Sequence, residues 1–175
     1  MKLRFEVRIA APPQRVWPWV ADPLRMARWN PKLVAIDRAA SGELQAGEEY
    51  ELIYRMSGRD TELRARVELA KPPVELAIRL WDEAGPHERP TVESYRLEAR
   101  GDGTRLRQEI DLSRTGIPWP ARLLMALLSR WGRPRDEPYL ERLRRLVEEP
   151  QDPPNPASTS STRASSRPGS TSSRS

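Results

Sequence analysis

The segment 117–147 constrains the fold more than any other, because it is the only run long and apolar enough to form a major helix. Its first half is apolar on more than one face, which is typical of a helix packed against a sheet. Its second half, residues 139–147, carries one apolar stripe at helical spacing. We therefore predict a long C-terminal helix around which the rest of the chain is organised.

Prolines and a glycine divide this helix. Pro118 or Pro120 would begin it, because the first residue of a helix has no intrahelical partner for its backbone N–H. Gly132, Pro134 and Pro138 interrupt the middle, and a proline inside a helix removes one hydrogen-bond donor and clashes with the preceding turn. We predict a kink or a short break between the two halves.

Much of the preceding chain alternates apolar and charged residues, the period-two pattern of strands with one buried face. In residues 2–9, for example, Leu3, Phe5, Val7 and Ile9 share one face. The same pattern predicts six further strands, at residues 32–38, 49–56, 63–69, 74–80, 92–99 and 106–112. A tight Gly-Asp-Gly turn at residues 101–103 would join the last two strands.

Prolines also predict two short helices between the first two strands. A pair of prolines suits the start of the first helix, although Pro18 must shorten or bend it. Asp22 and Pro23 are typical of an N-cap followed by the first helical residue. Asn30 and Pro31 would end the second helix.

The composition limits the classes of protein. The chain has 175 residues, and we predict one domain at residues 1–149 followed by a disordered tail at 150–175, rich in Ser, Thr, Pro and Arg. The absence of cysteine excludes disulfides, thiol catalysis and Cys-ligated metals. It also fits a reducing compartment, so we predict a cytoplasmic protein. No run approaches the ~20 apolar residues of a membrane span, so we predict no integral membrane segment.

Charge and motifs argue against several other functions. The net charge of +5 comes from 30 basic and 25 acidic residues that are interspersed, so we predict no nucleic-acid partner. His87, the only histidine, lies beside Glu88 and Arg89 in a polar loop, and we expect it to be exposed and inactive. One histidine, no His-Glu-x-x-His pair and no glycine-rich phosphate loop give no basis for a metal or a cofactor. We predict neither.

Four local patterns together resemble the START-like, or SRPBCC, superfamily. They are the segment 11–17, Asp22-Pro23, Trp29-Asn30-Pro31 and the turn 101–103. The resemblance covers about residues 1–148 and is strongest to the polyketide cyclase/dehydratase-like branch. It implies an α+β helix-grip fold, in which a curved seven-stranded antiparallel sheet surrounds a long C-terminal helix and two short helices follow strand one. It also implies an internal cavity for an apolar small molecule or lipid.

Polar residues in phase with the apolar strand faces are the candidates for a binding site. A ligand site is usually an apolar concavity with a few hydrogen-bonding groups, although each tyrosine could equally be core packing. Trp29 and Met26 would close one end of the cavity. The predicted ligand-binding residues are Trp29, Tyr50, Tyr54, Tyr95, Gln108, Met125 and Leu128.

We therefore predict a protein that binds or transports a hydrophobic small molecule or lipid. The alternative is a polyketide cyclase/dehydratase-type enzyme that uses the same cavity, with Tyr54 and Gln108 polarising a carbonyl. Against the enzyme stands the expectation that no acidic residue points inward. The acidic residues predicted to face outward are Glu51, Glu62, Glu68, Glu109 and Asp111.

Overall fold

The computed structural model describes residues 2–56, 58–82, 90–113 and 139–149. Its elements are β1 (Lys2–Ile9), α1 (Pro13–Ala21), α2 (Pro23–Trp29), β2 (Leu33–Asp37), β3 (Glu49–Met56), β4 (Arg59–Lys71), β5 (Glu75–Trp81), β6 (Thr91–Arg100), β7 (Gly103–Asp111) and α3 (Tyr139–Glu148). Several predictions fall outside the described residues: the helix start near Pro118, the break at 132–138, the positions of His87, Met125 and Leu128, and the tail at 150–175.

The strands form one antiparallel sheet in the order β1-β7-β6-β5-β4-β3-β2. The predicted seven-stranded antiparallel sheet is thus confirmed. Strands β2 to β6 each pair with the next strand in the chain, and β7 pairs with β1. Since β1 and β2 are at opposite edges, the α1–α2 segment between them has to cross the sheet.

The short helices begin and end as the sequence indicates. The Asp22 carboxylate accepts a hydrogen bond from the Leu24 backbone N–H at 2.9 Å, and Pro23 occupies the first turn of α2. Pro18 lies inside α1, which nevertheless continues to Ala21. Both helices bury apolar side chains in the core.

The C-terminal helix α3 packs against β1, α1 and α2 through Leu140, Leu143 and Val147, all of them buried. These residues belong to the stripe predicted for 139–147. The end of α3 is also tied to the β1–α1 connection, because the Glu148 carboxylate accepts a hydrogen bond from the Ala10 backbone N–H at 2.7 Å. One face of α3 is therefore part of the core.

Two strands depart from simple alternation because of bulges. In β4, Val67 pairs with Ile78 and Leu69 with Ala77, so one extra residue interrupts the ladder. As a result Leu69, predicted to share the buried face, is only half buried. A register shift between Leu33 and Ala35 in β2 accompanies an exposed Val34.

The outer face of the sheet is covered by cross-strand ion pairs. Arg105 and Glu6 join β7 to β1 at 2.7 Å, and Arg96 and Glu75 join β6 to β5 at 2.7 Å. The inner face, by contrast, carries the apolar core. A binding site for an apolar molecule is therefore expected on the inner face of the sheet.

Candidate functional site

The centre of the inner face is polar. Glu93 on β6 and Gln108 on β7 are buried, with 5% and 1% of their surface exposed. The Gln108 side-chain amide donates one hydrogen bond to Glu93 Oε1 and another, of 3.1 Å, to Tyr95 Oη. Tyr139 Oη, at the start of α3, donates to Gln108 Oε1. Neighbouring strands and the C-terminal helix thus meet at one buried carboxyl group.

A second arm reaches Glu93 from α2 and β3. Asn30 Nδ2 donates to Tyr54 Oη at 2.9 Å, and Tyr54 Oη donates to Glu93 Oε2 at 3.4 Å. Asn30 is held in place because its Oδ1 accepts a hydrogen bond from the Lys32 backbone N–H at 3.1 Å. Both arms end on Glu93, which is the final acceptor of the network.

Burial controls the protonation of this network. Burial raises the pKa of Glu93, and hydrogen bonds from Tyr95, Gln108 and Tyr54, together with the positive charge of Lys32, oppose that shift without cancelling it. No described lysine or arginine forms an ion pair with Glu93. The pKa values of Tyr54 and Tyr95 are raised by burial and by the nearby Glu93, so these hydroxyl groups keep their protons.

Next to Glu93 lies a small gap lined by both polar and apolar side chains. Its polar lining residues are Tyr50, Tyr54 and Glu93, and its apolar lining residues come from α2, β2, β3 and β5. The apolar lining residues are Pro23, Met26, Leu33, Leu52, Ile78 and Leu80. The volume is about 10 Å³. That is about the space one water molecule needs.

The predicted ligand-binding residues fall into three groups. Tyr50 and Tyr54 line the gap, as does Met26. Tyr95 and Gln108 belong to the hydrogen-bond network and do not line it. Met125 and Leu128 lie outside the described residues.

Trp29 supports the network from behind. It is completely buried, and its indole N–H donates to the Trp19 carbonyl at 2.8 Å. Its ring meets the edge of Tyr95 with centroids 6.2 Å apart and stacks on Tyr139 at 6.0 Å. Trp29 therefore fixes two members of the network rather than bordering the gap.

The expectation that no acidic residue points inward is wrong, because Glu93 does. Glu93 precedes Tyr95 by two residues, so strand alternation places both on the same face. The acidic residues named in the sequence analysis lie elsewhere: Glu51, Glu62 and Glu68 are exposed, and Glu109 pairs with Lys2 at 2.6 Å on the outer face. Asn30 was also missed as a network member.

Other kinds of site find no support in the described part of the chain. Those residues contain no group of three or more side chains arranged to hold a metal ion. Within the same residues, no helix has the length and apolar character that crossing a membrane requires.

The strand order, the two helices between the edge strands and the C-terminal helix on the inner face define a helix-grip fold. A protein from Chromobacterium violaceum shares it with a TM-score of 0.60 and 19% identity, over 84% of this chain and 96% of its own. A protein from Arthrobacter aurescens shares it with a TM-score of 0.61 and 17% identity, over 85% and 87%. DynU16, from the dynemicin biosynthetic locus, has a TM-score of 0.55 and 22% identity, over 85% of this chain and 47% of its own. At such identities the likeness shows the fold alone.

The sequence itself shows the family. The family described as "Polyketide cyclase / dehydrase and lipid transport" matches residues 1–148. The chain belongs to this family, which confirms the resemblance to the START-like superfamily. No curated protein is significantly similar to it in sequence.

Proposed function

We propose that this protein binds an apolar small molecule between α2 and the inner face of the sheet, with the polar end of the ligand at Glu93 and Tyr54. The observation that carries the proposal is the mixed lining of the gap. Six of its nine lining residues are apolar, while Tyr50, Tyr54 and Glu93 supply hydrogen-bonding groups. Ligand sites in proteins have this composition. Lipids are among the molecules such a site would accept.

Binding requires the gap to widen, because about 10 Å³ does not hold an organic ligand. The walls that can separate are α2, which contributes Met26, and the edge strand β2, which contributes Leu33. Met26 suits this role because an unbranched thioether side chain changes shape readily. We therefore expect ligand binding to change the environment of α2 and β2 more than that of β7.

Two substitutions on adjacent residues of β2 test this proposal. Leu33 lines the gap and Val34 is 42% exposed beside it. Leu33→Trp should fill the gap and weaken binding of the neutral fluorescent probe N-phenylnaphthylamine at least tenfold. Val34→Trp should leave the affinity within about twofold, because surface substitutions away from a site have small effects. Equal affinity in both variants would place the probe elsewhere, and the proposed site would be wrong.

Catalysis is a second candidate, and the inward-facing Glu93 is the observation that favours it. A buried carboxylate beside a tyrosine hydroxyl can take a proton from the carbon next to a carbonyl while the hydroxyl donates to the carbonyl oxygen. Such a pair contributes roughly 10²–10⁴-fold in rate. Gln108 is a poor candidate for polarising the carbonyl, because both of its amide hydrogens are already used within the network.

Hydrogen exchange separates catalysis from binding. An enzyme of this type should accelerate exchange of the α-hydrogens of a β-diketone in deuterated water, and Glu93→Gln should abolish the acceleration. Tyr54→Phe should reduce exchange while the ketone still binds. No acceleration by the parent protein across a panel of β-diketones that do bind would exclude this candidate and leave the binding function.

A further inference from the structure

Among the described residues, the interior next to the gap contains an acid, Glu93, but no base that forms an ion pair with it. Glu93 is buried, borders the gap and has no ion pair with any described cation. Buried charges in proteins are normally paired, because an unpaired charge loses its hydration without compensation. A group that enters the gap comes into contact with this carboxyl group.

Two described basic side chains act electrostatically on residues of the gap, Lys32 on Glu93 and Arg38 on Tyr50, but neither forms an ion pair with Glu93. The Arg38 guanidinium, only 6% exposed, binds the Glu48 carboxylate and the carbonyl of Gly42. Lys32 is exposed, and its Nζ lies 5.8 Å from the centre of the Tyr139 ring. Neither presents a cation to the gap. A ligand carboxylate or phosphate placed there would therefore face the Glu93 carboxyl group with no described cation lining the gap.

The hydrogen-bond network holds one oxygen of Glu93 less tightly than the other. Oε1 accepts the short hydrogen bond from Gln108, whereas Oε2 has the 3.4 Å contact with Tyr54, the longest hydrogen bond in the network. Tyr54 also borders the gap. A donor that enters the gap can therefore reach Oε2 by displacing the weaker of the two contacts.

From these observations we infer that Glu93 selects ligands by charge, and that the favoured ligand is an apolar molecule carrying a protonated amine. The ammonium group donates to Glu93 Oε2 while the apolar part packs against Met26, Leu33, Leu52 and Ile78. Hydrogen bonds to ionised groups are roughly twice as strong as neutral ones. This inference rests on the proposed binding function and names the class of ligand for the same gap.

Three probes of equal length test the selection: octylamine, octanol and octanoate. At about pH 7 the amine is a cation and the octanoate an anion, by analogy with lysine and glutamate side chains. Competition with N-phenylnaphthylamine should show the highest affinity for octylamine, a lower affinity for octanol and the lowest for octanoate. The affinities for octylamine and octanol should differ at least tenfold. The Glu93→Gln variant should weaken amine binding at least tenfold and leave octanol within about threefold. Glu62→Gln, at an exposed residue of β4, is the matched control and should change neither affinity.

The results of this competition distinguish failure of charge selection from failure of the proposed binding function. If octanol binds at least as tightly as octylamine, or octanoate binds best, charge selection is overturned while the binding function stands. If none of the three displaces the probe, both the inference and binding of such chains in this gap fail. The ranking in the parent protein decides the matter even if Glu93→Gln does not fold.

Discussion

Glu93→Gln tests whether an ionisable group lies buried in the core without an ion pair to any described residue, because it should change how stability depends on pH. Burial raises the pKa of Glu93 above its ordinary value of 4.5. An acid with a raised folded-state pKa stabilises the folded protein below the unfolded-state pKa, and that stability is lost as the pH rises through the folded-state pKa. The parent protein should therefore lose about 1.4 kcal/mol for each unit by which the pKa is raised.

The glutamine variant lacks this loss but has a cost of its own. Its amide carries two N–H donors where the protonated acid carries one O–H, and one unsatisfied buried donor costs about 1–3 kcal/mol. We expect the variant to be less stable than the parent at about pH 4 and to recover relative to it as the pH rises to about 8. The difference in the free energy of unfolding between parent and variant should therefore shrink steadily as the pH rises. It changes sign at the pH where the stability lost by the parent exceeds the cost of burying the amide.

Urea denaturation followed by tryptophan fluorescence at several pH values measures the difference. Glu109→Gln is the matched control on the neighbouring strand, because hydrogen bonds from Lys2 and Arg4 lower the pKa of Glu109. The stability that Glu109 contributes appears as the pH rises. The Glu109→Gln variant should therefore become less stable relative to the parent with rising pH. If the free energies of unfolding of the parent and Glu93→Gln depended on pH in the same way, the claim that Glu93 is a buried acid without an ion pair among the described residues would be refuted.

Further predictions concern the frame around the site. Tyr139→Phe removes the donor to Gln108 Oε1 and leaves a buried acceptor unsatisfied, which should cost about 1–3 kcal/mol in urea denaturation. An unchanged free energy of unfolding would mean that α3 is not held by this hydrogen bond. Gly103→Ala would place a Cβ atom 2.6 Å from the Ile9 backbone oxygen. We expect a thermal midpoint lowered by several degrees, corresponding to about 1–3 kcal/mol, and a midpoint equal to that of the parent would contradict the close β1–β7 approach.

The strands and helix starts could be predicted from the sequence because they depend on residues that are close together in the chain. Alternating residues such as Leu3, Phe5 and Val7 define a strand by themselves, and Asp22-Pro23 defines a helix start. The bulge in β4 was not predictable in this way. It arises where Leu69 pairs with Ala77 of β5, so its position depends on the register of a partner strand.

The site was predictable only in part, for two different reasons. Glu93 shares a strand face with Tyr95, so alternation already placed it inside; it was missed because charged residues were expected to face water. Asn30 and Tyr139 could not be assigned from the sequence. Their hydrogen-bond partners, Tyr54 and Gln108, are 24 and 31 residues away in the chain and are brought near by the fold.

The most direct test of the binding function is native mass spectrometry of the full chain purified from cells, compared with the Leu33→Trp variant. We expect the parent protein to carry a copurified apolar small molecule and the variant, with its gap filled, to carry none. A parent protein found only at its own mass, together with no displacement of N-phenylnaphthylamine by any lipid, alcohol or amine, would contradict ligand binding in this interior.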